Sequence, residues 1–243
     1  MKYLHSMGTL LNRRRYMGGK ALPYDAEVEY LQSTGTACID TGIIPTLSYS
    51  VEIEFKWVSP FFSADASANL FGSINGWNNN GFCIVYTHQS NRHDFYNCWG
   101  NNFKESRNTD LSYLLDSWHT LTFTNKKTLI DGTQIGQTST GTGNPIGNVY
   151  LFCARNWANG NLYGIGTTKQ IRSFKMYDAS SNLVMDLIPV RKGTVGYMYD
   201  KVSGQLFGNA GTDAFVLGPD KIGGGKYLII NMLCGYSVER RAA

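Results

Sequence analysis

The stretch that decides the fold is a run in which apolar and charged side chains alternate strictly, Ser50-Val51-Glu52-Ile53-Glu54-Phe55-Lys56-Trp57. Successive side chains of a β-strand point to opposite faces of the sheet, so the apolar residues of this run share one face and the charged residues share the other. A helix would scatter both classes around its circumference. The run therefore predicts a strand with one buried and one outward face.

Comparable signals recur roughly every ten residues and are separated by clusters of Gly, Asn, Asp and Ser. A helix signal is confined to one short turn at 110–115. Many short strands without helices predict an all-β fold, a two-sheet antiparallel sandwich. The predicted strands are 28–31, 37–40, 50–58, 70–74, 81–87, 94–99, 118–124, 127–130, 134–136, 149–154, 169–177 and 183–189.

The composition agrees with this fold class. Hydrophobic residues make up 42% of the 243 residues, which is ample for a core, whereas charged residues make up only 16%. An average globular chain has about 25% charged residues. Gly occurs 27 times, Tyr 15 times and Phe 12 times, and this mixture of turn formers and aromatics is typical of short strands joined by tight loops.

Three regions are predicted along the chain. Residues 1–22 form a basic N-terminal arm, residues 23–220 form the sandwich, and residues 221–243 form a C-terminal extension after a glycine-rich hinge. Both ends are expected to contact other chains, including other copies of this one, because neither has an obvious place in the sandwich. The predicted assembly contacts are Arg13, Arg14, Arg15, Tyr227, Leu228, Ile229 and Ile230.

The net charge of +4 is concentrated in the arm. The body lacks the basic patches that bind nucleic acid, so nucleic acid is not an expected partner, although the arginine run leaves a solvated tail or an acidic partner open. No apolar run approaches the roughly 18 residues of a membrane helix, so no membrane partner is expected. No secretory signal is recognisable, which predicts a chain made in a cytoplasm.

The cysteines are odd in number and contain no CxxC pair. Cys38, Cys83, Cys98 and Cys153 each lie in an apolar run, where a thiol behaves as a small hydrophobe, and Cys234 lies in the extension. We interpret them as reduced thiols of a chain that folds in a reducing compartment. The pair that we consider for a disulfide is Cys83 with Cys98.

Several motifs resemble a known family of domains. They resemble the opening, central hairpin and closing segments of laminin-G-like, concanavalin A-like domains found in gut bacteria of the Bacteroides type and in their bacteriophages. The resemblance covers about 27–219 and implies the jelly-roll fold and, often, binding to glycans or surfaces, without fixing a ligand. The arm that ends in Met17-Gly18-Gly19-Lys20 resembles phage versions. The motifs are Glu29-Tyr30-Leu31-Gln32-Ser33-Thr34-Gly35-Thr36, Ile39-Asp40-Thr41-Gly42, Trp118-His119-Thr120-Leu121, Ile130-Asp131-Gly132, Phe174-Lys175-Met176-Tyr177-Asp178, Ile188-Pro189-Val190-Arg191-Lys192-Gly193, Val195-Gly196-Tyr197-Met198-Tyr199-Asp200-Lys201-Val202-Ser203-Gly204 and Leu206-Phe207-Gly208-Asn209-Ala210-Gly211-Thr212.

Three predicted loops combine Trp with Asn, and they are the candidate ligand site. A flat indole can stack on the apolar face of a sugar ring, and amides can donate to and accept from hydroxyls. Asn is equally a turn residue, because it tolerates left-handed backbone angles, so turn chemistry alone is the alternative. The candidate glycan-binding residues are Trp77, Asn78, Asn79, Trp99, Asn101, Arg155, Asn156, Trp157 and Asn159.

Two groups of acidic residues are considered, one for glycoside hydrolysis and one for calcium binding. Glu52 and Glu54 lie two apart on one strand face, about 6–7 Å, which is near the 5–5.5 Å of a retaining glycosidase pair. Related glucanases use three alternating acids, but the third position here is Lys56, so no catalysis is expected. No cofactor is expected. Calcium remains open at Asp40, Asp131 and Asp178, where each Asp could instead cap a turn.

The function expected from these features is a non-enzymatic structural or appendage protein of a bacteriophage virion, such as a capsid decoration, fibre or tail component. A phage protein is made in the host cytoplasm and works outside it, which reconciles a missing export signal with a domain class usually found outside cells. Its expected partners are other virion proteins and host-surface polysaccharide. The alternatives are a carbohydrate-binding module at a bacterial cell surface and a glycoside hydrolase.

Overall fold

The computed structural model describes residues 16–17, 20–58, 67–76, 79–89, 92–107, 112–136 and 138–221. Among these residues there is no α-helix, only a short 3₁₀ helix at Ser112–Leu114. The strands are β1 Tyr16–Met17, β2 Lys20–Ala21, β3 Ala26–Glu27, β4 Leu31–Ser33, β5 Ile39–Asp40, β6 Ser50–Trp57, β7 Ser67–Ile74, β8 Gly81–Gln89, β9 Arg92–Gly100, β10 Asn102–Arg107, β11 His119–Thr124, β12 Lys127–Ile130, β13 Thr133–Ile135, β14 Tyr150–Leu151, β15 Ala154–Asn156, β16 Leu162–Tyr163, β17 Lys169–Tyr177, β18 Leu183–Lys192, β19 Val195–Asp200, β20 Leu206–Phe207 and β21 Val216–Leu217.

Two mainly antiparallel sheets pack face to face. The large sheet has the order β13-β12-β11-β6-β17-β18-β19-β20, with β3, β4 and β21 paired along its side. The small sheet has the order β10-β9-β8-β7-β14-β5, with β15 and β16 attached through β7. This architecture confirms the predicted all-β, two-sheet antiparallel sandwich and is consistent with a jelly roll. Strands β1 and β2 form a separate pair inside the predicted arm.

The core lies between the sheets and is dominated by aromatic side chains. In β6, Val51, Ile53, Phe55 and Trp57 are at most 1% exposed, while Glu52, Glu54 and Lys56 are half-buried on the outward face. The predicted alternation is therefore confirmed. Each fully buried large apolar side chain contributes about 1.5–3 kcal/mol relative to an exposed one, so this strand face anchors the large sheet to the core.

Two tight turns connect β11, β12 and β13, which match the predicted strands 118–124, 127–130 and 134–136. Asn125 and Lys126 both have positive φ, 48° and 61°, and the next turn has φ values of 49° at Asp131 and 80° at Gly132. Positive φ at both central residues is characteristic of the type I′ hairpin turn, whose twist matches that of paired strands. These turns fix the register, so Leu121 lies opposite Ile130.

A β-bulge in β17 positions the candidate site. Opposite β6, Ile171 pairs with Phe55 and Ser173 pairs with Glu54, so Arg172 is an extra residue in the ladder. A bulge redirects the side chains beside it. Here Arg172 and Ser173 are both half-buried, although their neighbours Ile171 and Phe174 are fully buried in the core.

Several predictions concern residues outside the described part. They include most of the N-terminal arm with Arg13, Arg14 and Arg15, and the extension with Tyr227, Leu228, Ile229 and Ile230. The candidate glycan residues Trp77 and Asn78 also lie outside it.

Candidate ligand-binding groove

The outward face of the large sheet carries a groove of about 540 Å³. It crosses the neighbouring strands β6, β17 and β18, from Trp118, which immediately precedes β11, to Lys201, which immediately follows β19. Its walls combine one indole with side chains of both charges. The lining residues are Glu29, Glu54, Trp118, Arg172, Ser173, Lys175, Asp186, Ile188, Lys201 and Lys221.

Trp118 is the aromatic centre of the groove. The guanidinium carbon of Arg172 lies 4.5 Å from the centroid of the indole, and Nζ of Lys56 lies 5.3 Å from it. The ring of Tyr30 is 6.0 Å away at an angle of 47°. Cations within about 6 Å of an indole are attracted by its quadrupole. These contacts hold the half-buried indole in one orientation beside the groove.

Three ion pairs fix the charged lining. Nε of Arg172 donates to Oε2 of Glu54 at 2.7 Å, Nζ of Lys175 donates to Oε1 of Glu52 at 3.0 Å, and Nζ of Lys201 lies 2.6 Å from Oδ2 of Asp186. The hydrogen bond to Glu52 raises the pKa of Lys175. Lys175 also lies opposite Asp186 in the ladder between β17 and β18, which connects the second and third pairs into a network across these strands.

The network leaves the paired acids poorly suited to hydrolysis. Glu52 and Glu54 lie on the outward face, as predicted, but each already accepts a hydrogen bond from a cation of β17. A retaining glycosidase needs one carboxyl as a proton donor and the other as a nucleophile that reaches the sugar. The arrangement instead suits recognition, because planar charged groups can still hydrogen-bond to hydroxyls of a ligand.

The predicted Trp and Asn loops have other roles in the described part. Trp99 is 0% exposed and its ring stacks on Phe123, so the prediction that it offers an exposed plate is wrong. Strand β9 continues through Gly100, and its alternation turns Trp99 inward. Asn79 is exposed in a turn where its carbonyl accepts from the Asn75 amide, and Asn101 Oδ1 accepts from the Thr142 amide.

The loop after β15 is held by its own hydrogen bonds. Asn156 Oδ1 accepts from the amides of Gly76 and Ala158, and Asn159 Oδ1 accepts from the amide of Asn161. The side-chain oxygens of these asparagines are therefore used in hydrogen bonds to backbone amides that stabilise the turn.

Trp157 packs at the rim of the small sheet. Its Nε1 donates to the Asn148 carbonyl at 3.3 Å, and its indole lies against Gly147, where a methyl group would come within 2.1 Å of the ring. The Arg155 guanidinium carbon lies 5.8 Å from the indole centroid of Trp157 and 5.9 Å from the ring centroid of Tyr150. The structure thus brings Arg155, Asn156, Trp157 and Asn159 together at the end of β15 and in the turn that follows it, whereas Trp99 is buried in the core.

A further polar group beside this loop was not predicted. The neighbouring side chains of Asn159, Asn156 and Asn161 lower the pKa of the phenol of the exposed Tyr163. The spacing of the asparagines could have suggested a cluster of amides, but not its partner Tyr163, which lies on β16, the strand paired with β15.

His119 connects a serine and an aspartate at the start of β11. Its Nδ1 donates to Asp131 Oδ2 at 2.6 Å, and its Nε2 lies 2.8 Å from Ser117 Oγ and 3.2 Å from the Tyr113 carbonyl. A catalytic serine would pass its proton to Nε2. Here the Ser117 hydroxyl also donates to the Tyr113 carbonyl at 3.0 Å. Both ring nitrogens lie beside oxygen atoms that can accept a hydrogen bond. His119 therefore connects the segment around Ser117 to the turn at Asp131.

The aspartates considered for calcium cap turns, which was the predicted alternative. Asp40 accepts from the amide of Gly42, and Asp178 accepts from the amides of Ser180 and Asn182. Asp131 accepts from the amide of Thr120. In the described part of the chain, no three His, Cys, Asp or Glu side chains are placed to hold a metal ion.

Comparisons with known proteins give a distant likeness in structure. No protein-family model matches the chain, and no curated protein matches it. A solved structure of the binding domain of botulinum neurotoxin serotype D is similar at 10% sequence identity and a TM-score of 0.37, covering 84% of this chain and 70% of that one. Nothing about a ligand follows from so distant a likeness. No helix in the described ranges is long and apolar enough to cross a membrane.

Proposed function

We propose that this chain is a non-enzymatic, concanavalin A-like sandwich of a bacteriophage particle that binds surface polysaccharide through the Trp118 groove. The observation that carries the binding role is the groove itself, in which a half-buried indole lies beside three ion pairs on a rigid sheet face. Ligand sites are typically concave, with apolar surface and a few well-placed polar groups that give specificity.

The chemistry of the lining favours a sugar chain. An indole offers apolar surface to the C–H groups of a pyranose, while guanidinium, ammonium and carboxylate groups donate to and accept from its hydroxyls. The groove crosses several strands, so an elongated chain could lie along it. Because the ion pairs already hold these side chains in place, binding orders few additional rotamers, which supports useful affinity.

The virion assignment is supported by sequence motifs. The laminin-G-like opening and closing segments and the Met17-Gly18-Gly19-Lys20 arm resemble phage proteins. We propose a capsid decoration, fibre or tail component that is made in the host cytoplasm and meets other virion proteins through its two ends. Mass spectrometry of purified particles from a phage that encodes the chain tests this half, and absence of the chain from the particles would contradict it.

A glycan array followed by calorimetric titration tests the binding half. We expect Trp118→Ala to weaken binding at least about tenfold, because stacking and the orientation of Arg172 are both lost. Trp157→Ala is the matched control, since it removes a half-buried indole from the small sheet and leaves the groove intact. If Trp157→Ala abolishes binding and Trp118→Ala does not, the ligand binds at the loop and the groove assignment is wrong.

A further inference from the structure

The four described cysteines lie in two pairs on the small sheet. Cys83 of β8 is directly opposite Cys98 of β9 in the antiparallel ladder. Cys38 immediately precedes β5, and Cys153 follows its neighbour β14, within one buried cluster that also contains Tyr150. All four side chains are fully buried, and all four are free thiols in the structure.

The backbone spacing of the first pair suits a disulfide. Directly opposite residues of antiparallel strands have Cα atoms about 4.5–5.5 Å apart. Disulfides span Cα separations of about 4.4–6.8 Å. Cys83 and Cys98 therefore need no backbone movement to reach this range.

Neighbouring glycines leave room for the sulfur atoms of the first pair. A methyl group on Gly81 would come within 1.9 Å of Cys98 Sγ, and one on Gly72 would come within 2.5 Å of Cys83 Cβ. The pair packs with Ile74, Val85 and Ala154 in an apolar cluster of its own. The strands thus provide a fitted space for two adjoining sulfur atoms.

The second pair lies in a buried cluster of its own, in which Cys38 and Cys153 pack with Tyr150. The neighbouring Cys153 thiol, together with the charges of Arg155 and Lys169, lowers the pKa of Cys38 despite its burial. Burial raises the pKa of Cys153. Cys38 is accordingly the better attacking thiolate of this pair.

We propose that Cys83–Cys98 and Cys38–Cys153 are two sites of intrachain disulfide formation, which are used once the chain meets a disulfide oxidant outside a reducing compartment. This inference goes beyond the proposed function and does not depend on a ligand. The first bond cross-links the hairpin of β8 and β9, and the second ties β5 to the segment after β14, far along the chain. Both restrict the unfolded chain and so stabilise the folded one.

The reaction with oxidised glutathione balances as two thiol–disulfide exchanges. One cysteine thiolate attacks a glutathione sulfur, forming a mixed disulfide and releasing one glutathione thiolate. The second cysteine thiolate then attacks the cysteine sulfur of the mixed disulfide and releases the other glutathione. The protein loses two electrons and two protons per pair, and one oxidised glutathione becomes two reduced molecules. Because the thiols are buried, local opening of the strands must precede attack.

The test uses the full chain with Cys234→Ser, so that only the paired cysteines react. The protein is incubated with oxidised glutathione just below its thermal transition, then alkylated and analysed by intact mass and peptide mapping. We expect the loss of two hydrogen atoms per pair, peptides that join Cys83 to Cys98 and Cys38 to Cys153, and a midpoint of thermal unfolding that rises by roughly 5–10 °C.

Variants separate the two bonds. Cys83→Ala together with Cys98→Ala should abolish the first cross-link and leave the second, and Cys38→Ala together with Cys153→Ala should do the reverse. If one double variant does not fold, the parent's peptide map still decides the pairing. Four thiols that remain reduced, stable glutathione adducts, or any other pairing would overturn the proposal.

Discussion

The indole of Trp99 lies parallel to the ring of Phe123, with centroids 4.0 Å apart and planes 11° from each other. Trp99 belongs to β9 of the small sheet and Phe123 to β11 of the large sheet, so this stack joins the two layers. Phe82 completes the contact, with its centroid 5.3 Å from that of Trp99 and 5.0 Å from that of Phe123. The centre of the sandwich is thus an aromatic cluster that is built from both sheets.

Removing this stack should destabilise the fold strongly. We expect Trp99→Ala to lower the free energy of unfolding by about 3–5 kcal/mol, because it leaves a large cavity and removes the contact between the sheets. Urea denaturation measures this change. Trp157→Ala, at a half-buried rim position, should cost clearly less. Equal losses in the two variants would contradict the central role of Trp99.

The inward position of Trp99 shows where sequence reasoning reaches its limit. Strand β6 could be predicted because its alternation is strict, and the β11–β13 turns because Asn, Asp and Gly adopt positive φ. In β9, by contrast, the fully buried polar residue Asn97 shares the inward face with Trp99 and masks the alternation. A following Gly-Asn-Asn segment then makes Trp99 resemble a loop residue.

The groove could not be predicted for a different reason. Trp118, Glu54 and Arg172 are distant in sequence and meet only because β6 lies between β11 and β17. The bulge at Arg172 leaves no pattern that distinguishes it from an ordinary polar position in the strand. Its location depends on strand order and register, which are properties of the assembled sheet.

The planar group of Arg172 should be important for ligand binding. Arg172→Lys keeps the positive charge but loses the flat guanidinium that contacts Trp118 and Glu54. We expect affinity for a bound glycan to fall by about tenfold in this variant, and by at least as much in Arg172→Ala. Lys127→Ala, which removes an exposed charge on β12, is the control for net charge. Full affinity in Arg172→Lys would show that charge alone suffices.

Glu52 and Glu54 should contribute little to stability. Their side chains are 38% and 36% exposed in their ion pairs, and exposed pairs typically contribute under 1 kcal/mol. We expect Glu52→Gln and Glu54→Gln each to change the unfolding free energy by less than about 1 kcal/mol, with a smaller effect at high salt. Chemical denaturation at two salt concentrations measures this. A glycan-cleaving activity that disappears in either variant would contradict the non-enzymatic proposal.

Stability should decrease in acid partly through Asp131. Burial alone would raise the pKa of this carboxyl, but the hydrogen bond from His119, the Thr120 amide and the charge of His119 together lower it. Its folded pKa is therefore below the unfolded value of about 3.9, so its contribution is present above that pH and is lost as the pH falls through the folded pKa. Hydrogen bonds from Asn182 lower the pKa of Asp178, and hydrogen bonds from Thr36 lower the pKa of Asp213.

Asp131→Asn isolates this contribution. The difference in unfolding free energy between the parent and the variant should be largest near neutral pH and should shrink below about pH 4, where the parent carboxyl becomes protonated. Urea unfolding at several pH values measures the difference. A gap that stays constant down to the acid transition would mean that Asp131 acts through shape alone and not through its charge.

The two ends of the chain provide the last prediction. The described body is closed at Asp220, whose carboxylate accepts from Nε and Nη2 of Arg191 at 2.6 Å each, and the Lys221 amide donates to the Glu27 carbonyl. An ion pair and a backbone hydrogen bond therefore hold the end of the sandwich in place where the extension begins. The arm and the extension themselves lie largely outside the described residues, and their sequences predict contacts with other chains.

Limited proteolysis of the isolated chain with a protease of broad specificity tests this prediction. We expect rapid trimming of both ends to a core of roughly residues 23–221. The midpoint of unfolding should not change, because this core retains the ion pair between Arg191 and Asp220. The trimmed core should still bind glycan, since every residue lining the groove is kept, but it should no longer associate with itself or with virion proteins. A C-terminal extension that resists protease in a proven monomer would mean that it pairs with its own sandwich, and the assembly role of the ends would then be wrong.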